Sequence, residues 1–273
     1  MMMRKMLSRY GLTQAPFSQA VPPEELFESA GQKAVVQSLQ AAVEGKASAV
    51  LTGEPGVGKT FALRALEAKL PAGRYRVTYI HNSTVNLRDF YRQLSAALGL
   101  EPKATPAALF RLVHAHIEDL AVAEKVRPIV VLDEAHMLPV AVLGHLHILL
   151  NFHRDSRPLL SLLLLGLPEL RDRLTRNILA SLSARLPVRV HMEPLDAEQT
   201  GLYLRHRLAA AGCTQDVFSE DATLLIAEAT GGVLRKIGTL ATTSLELGCQ
   251  AKSSIIDGSI VQEAIPQCAE ALV

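Results

Sequence analysis

Short apolar runs alternate with amphipathic stretches over the first two thirds of the chain, and the alternation stops near residue 194. The runs fall at 48–52, 76–80, 128–132, 159–165 and 188–192. Their near-continuous apolar character predicts strands buried on both faces. Between them, 86–98 and 106–124 space their apolar residues at helical intervals, the second with Thr105 as N-cap and Pro106 at the first helical position. A helix over 32–44, ending at Gly45, precedes the first run. Strands separated by helices imply an α/β fold: a parallel five-stranded sheet flanked by helices.

After Pro194 the strand signals end. Asp196 and Gln199 have capping-box spacing ahead of a helix running to Ala211. Ser219 opens another, Gly231-Gly232 separates it from 233–247, and a short segment at 257–265 closes the chain. The expected organisation is an extended lead-in over 1–31 (14–25 are rich in Pro and polar residues), an α/β core over 32–193, and a small helical domain over 194–273.

Composition narrows this picture mostly by exclusion. The chain has 273 residues, 49% of them hydrophobic and 20% charged, a globular balance that excludes disorder. With no Trp and 4% aromatics, stacking platforms for single-stranded nucleic acid are not expected. The formal net charge of +1 names no partner, so any nucleic-acid site must come from local clustering. Cys213, Cys249 and Cys268 are odd in number, fit no metal spacing, and read as thiols in a reducing compartment. No run reaches the roughly 20 apolar residues of a membrane span, and MMMRKMLSRYG lacks a signal-peptide core. A soluble cytoplasmic protein with no membrane partner is the expectation.

The chemistry is concentrated at two strand ends. Gly53, Glu54, Pro55, Gly56, Val57, Gly58, Lys59 and Thr60 follow the first strand, open a helix, and match the Walker A spacing. Small residues let the backbone wrap phosphate, and consecutive amides at a helix N-terminus favour the anion. Lys59 would reach the β and γ phosphates, and Thr60 would place its hydroxyl on Mg²⁺. With Phe61 beside them, these residues are the candidate ATP-binding set. About 75 residues further on, the run at 129–132 leads into Asp133-Glu134, a Walker B arrangement. Asp133 would hold Mg²⁺ through its water shell, and Glu134 would polarise the attacking water. Adjacent acids on a strand point to opposite sides, which would separate the two roles. Asp133-Glu134-Ala135-His136 also spells the box that names a helicase class. Too little chain follows for a second motor domain, so His136 reads as a helix-start residue.

Arginines supply the remaining candidates. ATPases that act as assemblies complete their site with a neighbour's arginine; Arg185, just before the fifth strand, holds that place, with Arg176 and Arg189 as rivals and a solvated face as the bland alternative. Arg235, at the start of a helix after Gly231-Gly232, would contact phosphate and report its state if its domain folds over the nucleotide; the bland alternative is a surface arginine. Arg154, Arg157, Arg171, Arg173 and Arg176 form a basic run that is either a DNA-backbone contact or a solvated face. The pairs His114/His116 and His145/His147 have a spacing that does not converge on a metal from a helix.

Together, 53–60, Asp133-Glu134, the run Gly166-Leu167-Pro168-Glu169-Leu170, Gly232 with Arg235, and the opening Tyr10-Gly11-Leu12 with Pro16-Phe17 resemble an AAA+ ATPase of the ExeA-like group. The resemblance runs over nearly the whole chain and implies a P-loop NTPase core with a helical lid. That group holds secretion ATPases and transposition regulators of the TniB, TnsC and MuB kind. Secretion members carry a membrane helix and a periplasmic region not found in this sequence, so the transposition branch is the expectation. It implies an ATPase, with ATP and Mg²⁺ as cofactors. It implies too a homo-oligomeric ring, hexameric, or a filament, on double-stranded DNA, recruiting or stimulating a transposase. The alternative is a secretion or envelope-assembly ATPase acting on protein. One departure stands out: Leu167 occupies the place after the fourth strand's glycine where the group often has a polar sensor, so slow turnover is the expectation.

Overall fold

The structure is a computed structural model describing residues 2–18, 22, 25–81, 85–101 and 103–272. Of the lead-in expected over 14–25, positions 19–21, 23 and 24 lie outside the described residues. The elements run α1 (Met2–Arg9), α2 (Ala30–Glu44), β1 (Ala49–Gly53), α3 (Lys59–Lys69), β2 (Tyr75–Ile80), α4 (Leu87–Ala97), α5 (Pro106–Val122) and β3 (Arg127–Leu132). They continue with α6 (Val140–Leu149), β4 (Ser161–Gly166), α7 (Glu169–Leu174), α8 (Ala180–Ser183), β5 (Val188–Met192), α9 (Ala197–Ala210), α10 (Glu220–Thr230), α11 (Leu234–Gln250), α12 (Gly258–Gln267) and α13 (Ala269–Leu272). Contacts divide the chain into two units. One holds residues up to Lys33, Glu54–Phe61 and everything from Glu193 onward; the other holds Ala34–Gly53 and Ala62–Met192.

The second unit is built on a five-stranded sheet in the order β2-β3-β4-β1-β5, with every pair parallel. β1 and β4 are buried along their whole length and β3 beyond its first residue. Each buried leucine of β4 contributes on the order of 2 kcal/mol by leaving water. Apolar runs had predicted burial on both faces for all five strands. The edge strands β2 and β5 depart from this: their exposed and buried positions mix, because an edge has a neighbour on one side only. One face is covered by α4, α5 and α6, whose Phe90, Tyr91, Leu94, Leu109, Ile117 and Leu146 join the sheet's Val130, Leu132, Leu162 and Leu164 in one core. α5 begins as its sequence requires, with the Thr105 side chain accepting from the Ala108 N–H at 3.2 Å and Pro106 next to it.

The first unit is a helical body of α9 to α13 joined by α1. Residues 2–9, expected as part of an extended lead-in, are helical because Met6 is buried in this unit's core; Tyr10 and Leu12 follow it there. The segment after α1 is fastened through backbone groups: Thr13 N–H donates to Ala211 O at 2.7 Å, and the buried Arg207 donates to Ser18 O at 2.8 Å. The Asp196–Gln199 capping box forms in both directions, so α9 starts where its sequence places it.

Candidate functional site

All five strands are parallel, so their C-terminal ends share one edge of the sheet, the edge where open parallel sheets bind ligands. On that edge Gly53 ends β1, Leu132 leads into Asp133, and Gly166 ends β4 between them. The register sets Leu132 level with Leu164 and Leu164 level with Val50, so β3 ends three residues short of the end of β1 at Gly53. Two strand spacings, about 10 Å, separate them across the sheet.

The loop after β1 is shaped by what its residues lack. Gly56 has φ +82°, a backbone conformation open to glycine, and a Cβ there would meet Arg235 Cβ at 2.8 Å and Val233 Cγ1 at 3.1 Å. The Arg235 N–H donates to Gly56 O at 3.2 Å, so the first turn of α11 is stitched to the loop by backbone as well as by contact. Lys59 is buried and its Nζ donates to Glu54 O at 3.0 Å, closing the loop on itself, while Val57 is buried beneath it. Glu54, Pro55, Thr60 and Arg235 are exposed, Gly56 and Gly58 are half-buried, and Phe61 packs against the core of the helical unit. The first unit thus brings together loop positions 54–61 and Arg235.

The acid pair is shaped by what surrounds it. β3 ends at Leu132, so both acids lie beyond the strand, and Glu134 adopts a left-handed conformation at φ +51°. Strand alternation, expected from the sequence to separate the two carboxylates, is therefore not what separates them; a turn is. Asp133 is buried and accepts hydrogen bonds from Tyr79 Oη at 2.6 Å and from the Glu134 N–H at 2.8 Å. The Glu134 side chain is 42% exposed and reaches His136 Nδ1 at 3.4 Å. One carboxylate is held and the other is open to an incoming water.

Burial and the bond to Asp133, with the charges of Asp133, Glu134 and Glu67, push the Tyr79 hydroxyl above its ordinary range, so it stays a donor at neutral pH. His81 stacks on Tyr79 with ring centroids 6.3 Å apart, and its Nδ1 lies 4.0 Å from Asp133 Oδ2. Sequence reasoning missed Tyr79 and His81, and it gave His136 only a structural part. The available signal was a polar aromatic pair at the C-terminal end of a strand, which becomes informative once β2 is known to pair with β3.

The arginine candidates separate. Arg185 is engaged within the chain, paired with Asp155 and donating to Ser181 O at 3.0 Å. Arg189 donates to Ser183 and Leu186, and Arg176 is exposed. Of the basic run, Arg154, Arg157, Arg171 and Arg176 are exposed. Arg173 is half-buried and donates to the carbonyls of His136 and Leu138, so it serves the fold. His145 and His147 have their ring nitrogens on Tyr91 and Gly144 O. No group of three or more His, Cys, Asp or Glu fit for a metal occurs among the described residues.

Residues 42–174 match the family model described as an AAA domain, the stretch that holds the phosphate loop, the acid pair and β4. The chain carries an AAA domain. It is 33% identical over 240 residues to general secretion pathway protein A of Aeromonas hydrophila, covering 86% of this chain and 43% of that protein. The chain therefore spans less than half the length of this relative. Among solved structures, Cdc6p of Pyrobaculum aerophilum matches at TM-score 0.71 and 18% identity, over 92% of this chain and 70% of that one. Drosophila ORC bound to DNA matches at TM-score 0.66 and 17% identity, over 97% and 66%. At such identities the likeness is one of fold, and it reaches beyond the AAA domain into the helical unit. No helix among the described residues is long and apolar enough to cross a membrane.

Proposed function

We propose that this chain binds ATP with Mg²⁺ and hydrolyses it as a homo-oligomer, and that the assembly works on double-stranded DNA. The observation that carries the ATPase reading is the loop at 54–61, closed by Lys59 and backed by the first turn of α11. Amides of such a loop at a helix N-terminus favour phosphate oxygens. The group fits the residues: Gly56 admits the first turn of α11, with Arg235, against the loop, and Thr60 offers an exposed hydroxyl. Mg²⁺ would be held mainly by substrate phosphates and water, with Thr60 and Asp133 as the protein groups offered to it, so it needs no cluster of protein ligands. Glu134 is the general base or water-orienting group, Arg235 a phosphate contact, and Arg185 the residue offered to the neighbouring protomer. Releasing Arg185 from the half-exposed Asp155 costs little, about 1 kcal/mol or less.

The DNA reading is supported by the exposed arginines at 154, 157, 171 and 176, together with a fold shared with an ORC structure bound to DNA. In its finer form the DNA-bound assembly recruits or stimulates a transposase. A second reading, an ATPase acting on protein in secretion, is favoured by the identity to general secretion pathway protein A.

Two measurements test the proposal. Lys59→Ala abolishes ATP binding, and Glu134→Gln lowers kcat by roughly 100-fold to 10,000-fold with ATP binding retained. Unchanged binding in the first, or unchanged turnover in the second, overturns the ATPase reading. Duplex DNA binding, measured with ATP and rising salt, should weaken steeply with salt. Indifference to DNA with capture of envelope proteins turns the reading toward secretion.

A further inference from the structure

His136 follows Glu134 by two positions in the turn Ala135–Met137, and its side chain is only 9% exposed. Its Nδ1 faces two groups at the same distance: Glu134 Oε2 at 3.4 Å and the Leu167 N–H at 3.4 Å. A ring nitrogen carrying a proton donates to the carboxylate; one without a proton accepts from the amide. It cannot do both. Each contact is long for a hydrogen bond, so the nitrogen stands midway between the acid and the end of β4.

Both neighbouring segments hold the imidazole in that place. Gly166 has no side chain, and a Cβ there would meet the His136 N at 3.2 Å and its Nδ1 at 3.4 Å. From α7, Arg173 donates to the carbonyls of His136 and Leu138, fixing the turn's backbone to the segment that follows β4. Leu167 brings no polar side chain to this edge; its backbone amide makes the contact instead.

We infer that His136 is a positioning residue for Glu134, and that its Nδ1 atom is where the end of β4 acts on the general base. With the proton on Nδ1 the ring donates to Glu134 and holds the carboxylate in one orientation; with the proton on Nε2 instead, Nδ1 accepts from the Leu167 amide and the carboxylate is released. A small displacement of 166–167 thereby changes the orientation of Glu134 without touching it. This rests on the ATPase reading of the acid pair.

The test compares three substitutions in the full chain by steady-state ATPase activity and by affinity for a fluorescent ATP analogue. Asparagine places a polar atom near the Nδ1 position, glutamine places one near Nε2, and leucine places none. His136→Leu is expected to lower kcat at least tenfold with KM and analogue affinity within twofold of the parent. His136→Asn should restore at least a third of the parent kcat, and His136→Gln should not. In a Glu134→Gln background, His136→Leu should add no further loss, because the two residues act as one unit.

Parent-like turnover in His136→Leu overturns the inference. So does equal loss in the Asn and Gln variants, or an additive loss in the double variant. If His136→Leu does not fold, the Asn and Gln pair decides alone. If Glu134→Gln itself turns over ATP like the parent, the ATPase reading has failed, a result distinct from failure of the His136 assignment.

Discussion

The phosphate loop and the acid pair are built by opposite means. The loop is made by omission: Gly56 lets Arg235 and Val233 approach to distances that no side chain would allow, and the loop carbonyls of Gly56 and Glu54 accept the closing bonds from the Arg235 N–H and Lys59 Nζ. The acid pair is made by crowding, with Tyr79, His81 and His136 around two carboxylates and one residue in a left-handed turn. A site built from backbone tolerates almost no added atom. A site built from side chains should tolerate losing one atom at a time.

The sharpest way to break this contrast is to add one methyl group to the loop. In Gly56→Ala the new Cβ stands 2.8 Å from Arg235 Cβ, and the residue must still adopt φ +82°. The left-handed backbone alone costs roughly 1–2 kcal/mol, and the contact adds to it. ATP affinity, measured by calorimetry, is expected to fall at least tenfold, and the midpoint of thermal unfolding to drop by several degrees. Parent-like affinity would mean that the loop is not held by the absence of a side chain.

Removing one oxygen from the acid pair should do far less. Tyr79→Phe deletes the 2.6 Å bond to Asp133 Oδ2 and leaves the Glu134 N–H on the other carboxylate oxygen. The loss of one such bond is worth about 1 kcal/mol, so the Mg²⁺ concentration for half-maximal ATPase activity should rise about fivefold with kcat little changed. A change above 100-fold would show that the acid pair is as intolerant as the loop.

The same contrast explains what was legible in the sequence. The five strands, the loop and the acid pair were readable because each is a local pattern: an apolar run, a glycine spacing, two adjacent acids. Thr105 and the Asp196–Gln199 capping box were readable for the same reason. Tyr79 and His81 were not, because they reach Asp133 only through the pairing of β2 with β3, more than 50 positions apart. Glu134 was misread for a different reason. An apolar run followed by two acids gives no sign that the strand stops before them, so the turn at φ +51° had no local signature. The helix at 2–9 was hidden because its amphipathic face is completed by α11, far away in sequence.

Crowding also leaves a trace in pH, and this is the smallest expected effect. In the sheet unit, burial and the neighbouring His147 lower the His145 pKa below 6.5, while its Nδ1 lies 2.8 Å from Tyr91 Oη. In the helical unit, burial and the Arg207 charge, partly opposed by Glu25, lower that of His206. A histidine with a depressed folded pKa stays neutral in the native state while the unfolded chain takes up its proton near pH 6.5. The unfolded state then binds more protons, so stability is fully present above pH 6.5 and declines as pH falls through that value toward the folded pKa. The unfolding midpoint should therefore be lower at pH 5.5 than at pH 7.5. His145→Asn, which keeps a polar atom for the Tyr91 hydroxyl, should flatten that dependence without removing it, since His206 titrates in the same direction. A variant with a pH dependence as steep as the parent's would place the titration elsewhere in the fold.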